Sequence, residues 1–333
     1  MPSNYILDKK DRKILIELDR DARQSNKQTG KIVGLSKEVV KYRIDKMVER
    51  GIILKFYTIV NYFKLGIVKF KLYLRLTNAN KEKIEKITKY FENHEKTEWV
   101  VTSTGRWDMI VGFMLHNVNE FDDEIQTVLD KFSDYIQEKA VTTTLYLAHQ
   151  TRRFLKTEIG EKKIMKTLYH TTKDKQEKID KRDEEILKII TNNSRMPVTE
   201  IAKRLKTTPR IIQYRLKELK KKKIILAYKA HINPKTMNRI FCKIIIYFTS
   251  VTEDELNTFI RYISSLPDAL WPQKVMGSWD FELDFELENY DKFQKVIMDI
   301  KEKFPDIIKN HEFCIVSKEF KLDFFPGCYP RFK

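Results

Sequence analysis

The chain has 333 residues, 42% hydrophobic and 12% aromatic, which is enough for several packed domains and too apolar for wholesale disorder. Its formal charge of +17 favours an acidic partner, nucleic acid before others. The three cysteines (Cys242, Cys314, Cys328) form no C-x-x-C pair, which argues against a disulfide framework and for a reducing compartment.

The first elements outline a winged helix-turn-helix over residues 1–60. Ile14, Leu15 and Leu18 recur at helical spacing and predict a helix over 11–18. A short helix over 28–33 follows, then the turn Gly34-Leu35-Ser36 and a long amphipathic helix from Lys37 to about Arg50. Ser36 suits its N-cap, and Val40, Ile44 and Met47 form its buried face. Gly51 ends it and Ile52-Ile53-Leu54 begins a strand. Helix, helix, turn, capped helix and strand is the order of a winged helix-turn-helix, whose third helix meets DNA. The candidate DNA-facing residues are Ser36, Lys37, Lys41, Tyr42 and Lys46, beside Glu38. Arg43, at the margin of the buried face, would bind phosphate or brace the domain.

Residues 61–155 read as a ferredoxin-like βαββαβ domain. A strand over Val68–Leu76 precedes an amphipathic helix over 81–94; strands near 98–103 and 107–115, a helix over 121–132 and a last strand near 140–147 complete it. Residues 156–178 are a charged connector, expected to be partly helical.

From residue 179 the sequence repeats itself at a constant offset of 172. Asp8, Asp11, Ile14 and Leu15 fall on Asp180, Asp183, Ile186 and Leu187; Arg23 falls on Arg195; Tyr42-Arg43 falls on Tyr214-Arg215. Further on, Gly105-x-Trp107-Asp108 falls on Gly277-x-Trp279-Asp280. The chain is therefore a duplicated two-domain unit of α+β class. Residues 179–232 form the second winged helix-turn-helix, and residues 233–333 the second βαββαβ domain with its tail, Phe324–Pro330. In this copy Thr208 caps, Pro209 takes the first helical position, and Ile212, Leu216 and Leu219 are buried. Its candidate DNA contacts are Thr208, Arg210, Gln213, Tyr214, Arg215, Lys217 and Lys221. Arg and Gln suit base edges and lysines suit phosphates. Charge supports the assignment: residues 1–55 carry a net +6 and residues 179–229 a net +9, most of the total.

The opening Leu7-Asp8-x-x-Asp11-x-x-Ile14-Leu15, the Gly34-Leu35-Ser36 turn, Arg43-Ile44, Gly51-Ile52-Ile53, Leu65-Gly66 and Gly105-x-x-Asp108 resemble the Lrp/AsnC (feast/famine) regulators, twice over. The resemblance implies a transcription regulator that binds double-stranded DNA and pairs through its βαββαβ domains. It also implies an amino acid or related metabolite as effector, placed by position at Thr104, Gly105 and Asp108 and at Gly277, Ser278 and Asp280. Fusion of two units implies an intrachain pseudo-dimer with two non-identical readers about one helical turn apart on DNA, hence an asymmetric site. Further assembly into homo-oligomers is left open.

Copy two departs from the pattern, with Lys206 where copy one has Gly34 and Asn238 where it has Gly66. Copy one has Gly30 within its second helix, against Ala202, so its reader is expected to be less rigid or weaker.

No cofactor or metal is expected: the six histidines show no ligand spacing, and no phosphate-cradling loop or nucleophile motif is present. Nothing resembles a signal peptide or membrane span, so a cytoplasmic, nucleoid-associated protein and no membrane partner are expected. Two rival readings remain. Siroheme decarboxylases resemble the same fold and also occur as fused pairs, but the stretches Trp99–Ser103, Trp107–Ile110, Lys274–Met276 and Trp279–Phe281 hold no histidine. An architectural protein would bind phosphates with little sequence preference.

Overall fold

Two rounds of the same elements fill the computed structural model, which describes residues 7–77, 80–155 and 167–327. The first round is α1 (Lys9–Arg20), α2 (Asn26–Val33), α3 (Lys37–Glu49) and β1 (Ile53–Val60). It continues with β2 (Val68–Leu76), α4 (Lys81–Asn93), β3 (Thr97–Gly105), β4 (Met109–Leu115), α5 (Val118–Phe132) and β5 (Ile136–His149). A short strand, β6 (Leu168–Thr171), lies in the stretch read as a connector, and residues 156–166 of that stretch lie outside the described residues. The second round is α6 (Lys181–Asn192), α7 (Val198–Arg204), α8 (Pro209–Lys221) and β7 (Ile225–Ile232). After it come β8 (Ile240–Phe248), α9 (Glu253–Ser265), β9 (Gln273–Gly277), β10 (Phe281–Leu287), α10 (Tyr290–Lys303) and β11 (Ile308–Leu322).

The chain divides into two compact units, and each draws on both copies. The first holds both helix-turn-helix copies. Their strands β1 and β7 pair antiparallel in a two-stranded ribbon. Packing across the ribbon is exchanged: α1 packs on β7, and α6 packs on β1. The core of copy one therefore joins Ile14, Leu18, Val40, Ile44 and Met47 to Ala230 and Ile232 of β7.

The second unit holds both βαββαβ copies in one antiparallel sheet. Its order is β2-β4-β3-β11-β8-β10-β9-β5, and β5 also pairs with β2, so eight strands close into a barrel with β6 added on β5. Two long strands make the closure. β5 pairs with β2 through residues 136–143 and with β9 through residues 142–147. β11 pairs with β8 through residues 308–315 and with β3 through residues 314–322. Alternation along each strand then separates two environments. Phe70, Leu72 and Leu74 of β2 join Ile87 and Phe91 of α4 and Phe121 of α5 in one core, and Phe281, Leu283 and Phe285 of β10 join Phe259 of α9 and Phe293 of α10 in another. The intervening residues, among them Tyr73, Trp99, Val101, Ile245 and Val275, form a third cluster shared by the two copies.

A Cβ at Gly30 would stand 2.5 Å from the carbonyl oxygen of Leu35, so glycine lets α2 meet the following turn closely. The turns themselves are conformationally alike in both copies. Gly34, Gly51 and Gly66 have φ of 69°, 66° and 71°, and Lys206, Lys223 and Asn238 take the same left-handed region at 49°, 56° and 53°. Among the described residues no helix is long and apolar enough to cross a membrane.

Candidate nucleic-acid interface

The third helix of each first domain is held the same way. Ser36 Oγ accepts from the backbone N–H of Val39 at 3.2 Å, and Thr208 Oγ1 accepts from that of Ile211 at 3.4 Å. Val40, Ile44 and Met47 bury one face of α3, and Ile212, Leu216 and Leu219 bury that of α8. The opposite face is open. Lys37, Lys41 and Tyr42 of α3 and Arg210, Gln213, Tyr214, Lys217 and Lys221 of α8 are exposed, and Lys46 is half-buried. Tyr42 and Tyr214 keep 63% and 64% of their surface exposed. The open tyrosine thus recurs at one position in both copies.

Arg43 and Arg215 are placed differently from the other candidates. Arg43 Nη1 lies 2.7 Å from Asp8 and 2.8 Å from Asp11, and Arg215 Nη1 lies 2.7 Å from Asp180 and 2.8 Å from Asp183. The same acids cap the first helix, since Asp8 accepts from the N–H of Asp11 and Asp180 from that of Asp183. Hydrogen bonds to Asp8 and Asp11 raise the Arg43 guanidinium above its ordinary value, and those to Asp180 and Asp183 do the same for Arg215. Both arginines thus tie the reading helix to the start of its domain.

Arg23 recurs at Arg195, and the sequence alone assigns neither a role. In the structure the two are reciprocal. Arg23 Nη1 donates to the carbonyl of Ser194 at 2.5 Å, and Arg195 donates to the carbonyl of Ala22 at 2.7 Å and to Asn26 Oδ1 at 2.6 Å. Each copy's arginine is spent on the other copy's backbone. The signal was available as an arginine recurring outside the reading helix, but no pattern of spacing says what it touches.

The candidate effector residues sit in the barrel unit, at two separate seams. Thr104 and Gly105 close β3 against β11, facing Ile315 and Cys314. Gly277 closes β9 against β5, facing Thr142. Gly105 has φ +116°, and a Cβ there would stand 2.6 Å from the Phe313 carbonyl oxygen; Gly277 has φ +145° and stands as close against Val141. Asp108 accepts from the N–H of Leu76 at 2.8 Å and Asp280 from that of Phe248 at 2.8 Å, while Ser278 Oγ exchanges hydrogen bonds of 3.2 Å with the backbone of Val141.

The barrel interior holds charges that the sequence did not reveal. Lys71, Lys243 and Glu282 are wholly buried. Lys71 pairs with Glu282 and lies 2.5 Å from Gln273 Oε1; Lys243 lies 3.1 Å from Glu282 and 2.7 Å from Asp284. Burial alone would raise the Glu282 carboxyl, but the two ammonium groups hold it below the usual carboxylate range. Lys69 and Glu98 pair at 2.7 Å beside a cavity of about 40 Å³ lined also by Trp99, His149, Trp271 and Phe324. Among the described residues no group of His, Cys, Asp or Glu is arranged to hold a metal ion.

A family model described as winged helix-turn-helix DNA-binding matches residues 7–53 and again residues 179–225. The HTH-type transcriptional regulator FL11 of Pyrococcus furiosus is 33% identical over 125 residues, which are 80% of that protein and 37% of this chain. The HTH-type transcriptional regulator LrpA of Pyrococcus horikoshii is 44% identical over 59 residues, 42% of that protein and 18% of this chain. The chain belongs to the Lrp/AsnC family. As a member of that family it is a tandem duplication: the winged helix-turn-helix model matches it twice, 172 residues apart, whereas the FL11 match spans 125 residues, less than that offset. The crystal structure of the siroheme decarboxylase NirDL is similar over nearly the full length, with a TM-score of 0.62 over 94% of this chain and 93% of that one at 14% identity. That likeness is one of fold, and it extends to the whole duplicated Lrp/AsnC architecture.

Proposed function

We propose that this Lrp/AsnC family member is a sequence-specific DNA-binding transcription regulator in which one chain supplies two non-identical readers. The observation that carries the reading is the outer face of α8, where Arg210, Gln213, Tyr214 and Lys217 stand exposed on a capped, braced helix. Arg and Gln are the side chains that reach base edges bidentately, and lysine neutralises phosphate. Because α3 presents Lys41 and Tyr42 with a different set of neighbours, the preferred site is asymmetric. The closure of the two βαββαβ copies into one barrel supports reading them as an intrachain counterpart of a dimer.

Selection of binding sites from random duplexes by the full chain, repeated with Arg210, Gln213 and Lys217 changed to alanine, tests the reading. A two-part motif that loses one half in the variant is expected. Absence of any motif at a salt concentration where nonspecific binding is weak would favour an architectural protein instead.

An amino acid or related metabolite is the effector class that goes with this reading. Residues Thr104–Asp108 and Gly277–Asp280 are where it would act. Support comes from their position: each loop closes a strand of one copy on a strand of the other, so a molecule lodged there would move the seam. Thermal shifts of the full chain with individual amino acids test this, and the variants Thr104→Ala and Ser278→Ala should abolish any shift.

The enzymatic alternative, of siroheme decarboxylase type, is disfavoured by the stretches Trp99–Ser103, Trp107–Ile110, Lys274–Met276 and Trp279–Phe281, which hold no histidine to act as a general acid. A Soret-region spectrum of the chain mixed with a tetrapyrrole, unchanged from that of free tetrapyrrole, is the expected result.

A further inference from the structure

The two reading helices carry opposite charge at the same three positions. At the offset of 172, Glu38, Asp45 and Glu49 of α3 correspond to Arg210, Lys217 and Lys221 of α8. Spacings of seven and four place the three along one helical face. All six side chains are exposed. The helices share their side-chain N-caps, the Arg43 and Arg215 braces, their buried triads and the open tyrosine at positions 42 and 214. One exchange runs the other way, Lys46 of α3 corresponding to Glu218 of α8, and both of these are half-buried, so the threefold inversion still dominates the exposed face.

The acids of α3 also occupy its cations. Lys41 lies 2.5 Å from Asp45 and Lys46 lies 2.8 Å from Glu49. Among the described residues Arg210, Lys217 and Lys221 have no ion-pair partner. In all, α3 holds four basic and three acidic residues, and α8 holds five basic and one acidic. A duplex presents closely spaced phosphates, so a helix edged with three carboxylates is repelled where its twin is held.

We propose that the phosphate grip on DNA is concentrated in copy two: α8 holds the duplex, and the outer face of α3, though it still meets its own half-site, contributes no net phosphate neutralisation. Arg210, Lys217 and Lys221 are then the residues that set affinity and its salt dependence. The half of the site under α8 is the more tightly held half. This rests on the reading of the chain as a DNA-binding regulator.

The test is the salt dependence of binding of the full chain to one fixed duplex, with a thermal melt of each variant as a check of folding. The triple variant Arg210→Ala, Lys217→Ala, Lys221→Ala should flatten the log–log slope by about 2 to 3, because each neutralised phosphate contributes about 0.9. The matched variant Lys37→Ala, Lys41→Ala, Lys46→Ala should change it by less than about 1. The transplant Glu38→Arg, Asp45→Lys, Glu49→Lys should steepen the slope by about 2 to 3 and tighten binding at low salt. Equal losses from the two alanine sets, or a transplant that leaves the slope unchanged, would overturn the proposal while leaving the DNA-binding reading intact. A wild-type chain with no salt-dependent binding would overturn both.

Discussion

Tyr57 pairs across the β1–β7 ladder with Lys229, the residue 172 positions later, and so with its own duplicate. In an antiparallel pair this places a pseudo-two-fold axis at that rung, and the neighbouring rungs obey it: Phe56 faces Ala230 and Thr58 faces Tyr228. Arg23 and Arg195 are related by the same offset and make reciprocal contacts. The barrel repeats the relation, since Gly105 faces Cys314 and Gly277 faces Thr142, each pair the counterpart of the other.

Removing either reciprocal arginine leaves a backbone carbonyl of the other copy without its charged donor. Arg23→Ala and Arg195→Ala should each cost about 1–3 kcal/mol in urea unfolding. Arg195→Ala should cost the more, because Arg195 also holds Asn26. Losses below about 0.5 kcal/mol for both would mean that the two arginine contacts contribute little to holding the copies together.

Arg215 separates bracing from phosphate contact. Held between Asp180 and Asp183, it should on change to alanine lower stability by about 1 kcal/mol and leave the salt slope of DNA binding unaltered. Lys217→Ala should do the reverse, with unchanged melting and a slope flatter by about 0.9. A flatter slope in Arg215→Ala would return that residue to the phosphate-binding set.

Within the barrel, Lys71→Met strips Glu282 of one of its two ammonium partners in a wholly buried site. A loss of about 3 kcal/mol is expected. Combining it with Glu282→Gln should cost less than the two single losses added, because the uncompensated carboxylate is then neutral. Strict additivity in urea denaturation would show that the pair is not coupled.

Acid should unfold the chain through its buried histidines. Burial lowers His170 and His231 to about 3 each, against about 6.5 in an unfolded chain. A depressed histidine stabilises fully above pH 6.5 and loses that contribution as pH falls toward 3, because only the unfolded chain takes up the proton. Each such group should cost about 1.4 kcal/mol per pH unit over that window. His170 is packed against Tyr62, Phe63 and His149, so His170→Phe should keep the fold and flatten the dependence between pH 6.5 and 5. An unchanged slope in the variant would remove His170 from the account.

Local elements were legible because short-range physics dictates them. The caps at Ser36 and Thr208, the buried triads of α3 and α8 and the βαββαβ order all follow from residues within a turn or a strand of one another. Some bounds differ where tertiary pairing extends an element: β5 begins at Ile136, ahead of the predicted 140, because its first residues pair with β2. Lys69 and Lys71 alternate with Phe70 and Leu72 as they would on a half-exposed strand, yet they are buried, because the sheet closes into a barrel in which Lys69 meets Glu98 of β3 and Lys71 meets Glu282 of β10 in the other copy.

By itself the sequence determined that the chain is a doubled unit, that its first domains carry a capped, outward-charged third helix, and that charge is concentrated there. These are matters of spacing, repeat and composition. Only the tertiary structure decided that Arg43 and Arg215 brace their domains, that Arg23 and Arg195 clasp opposite copies, and that two four-stranded sheets close into one barrel around buried ion pairs. Each of those depends on partners more than 30 residues away, and a side chain's sequence neighbours carry no information about which distant carbonyl or carboxylate it will meet.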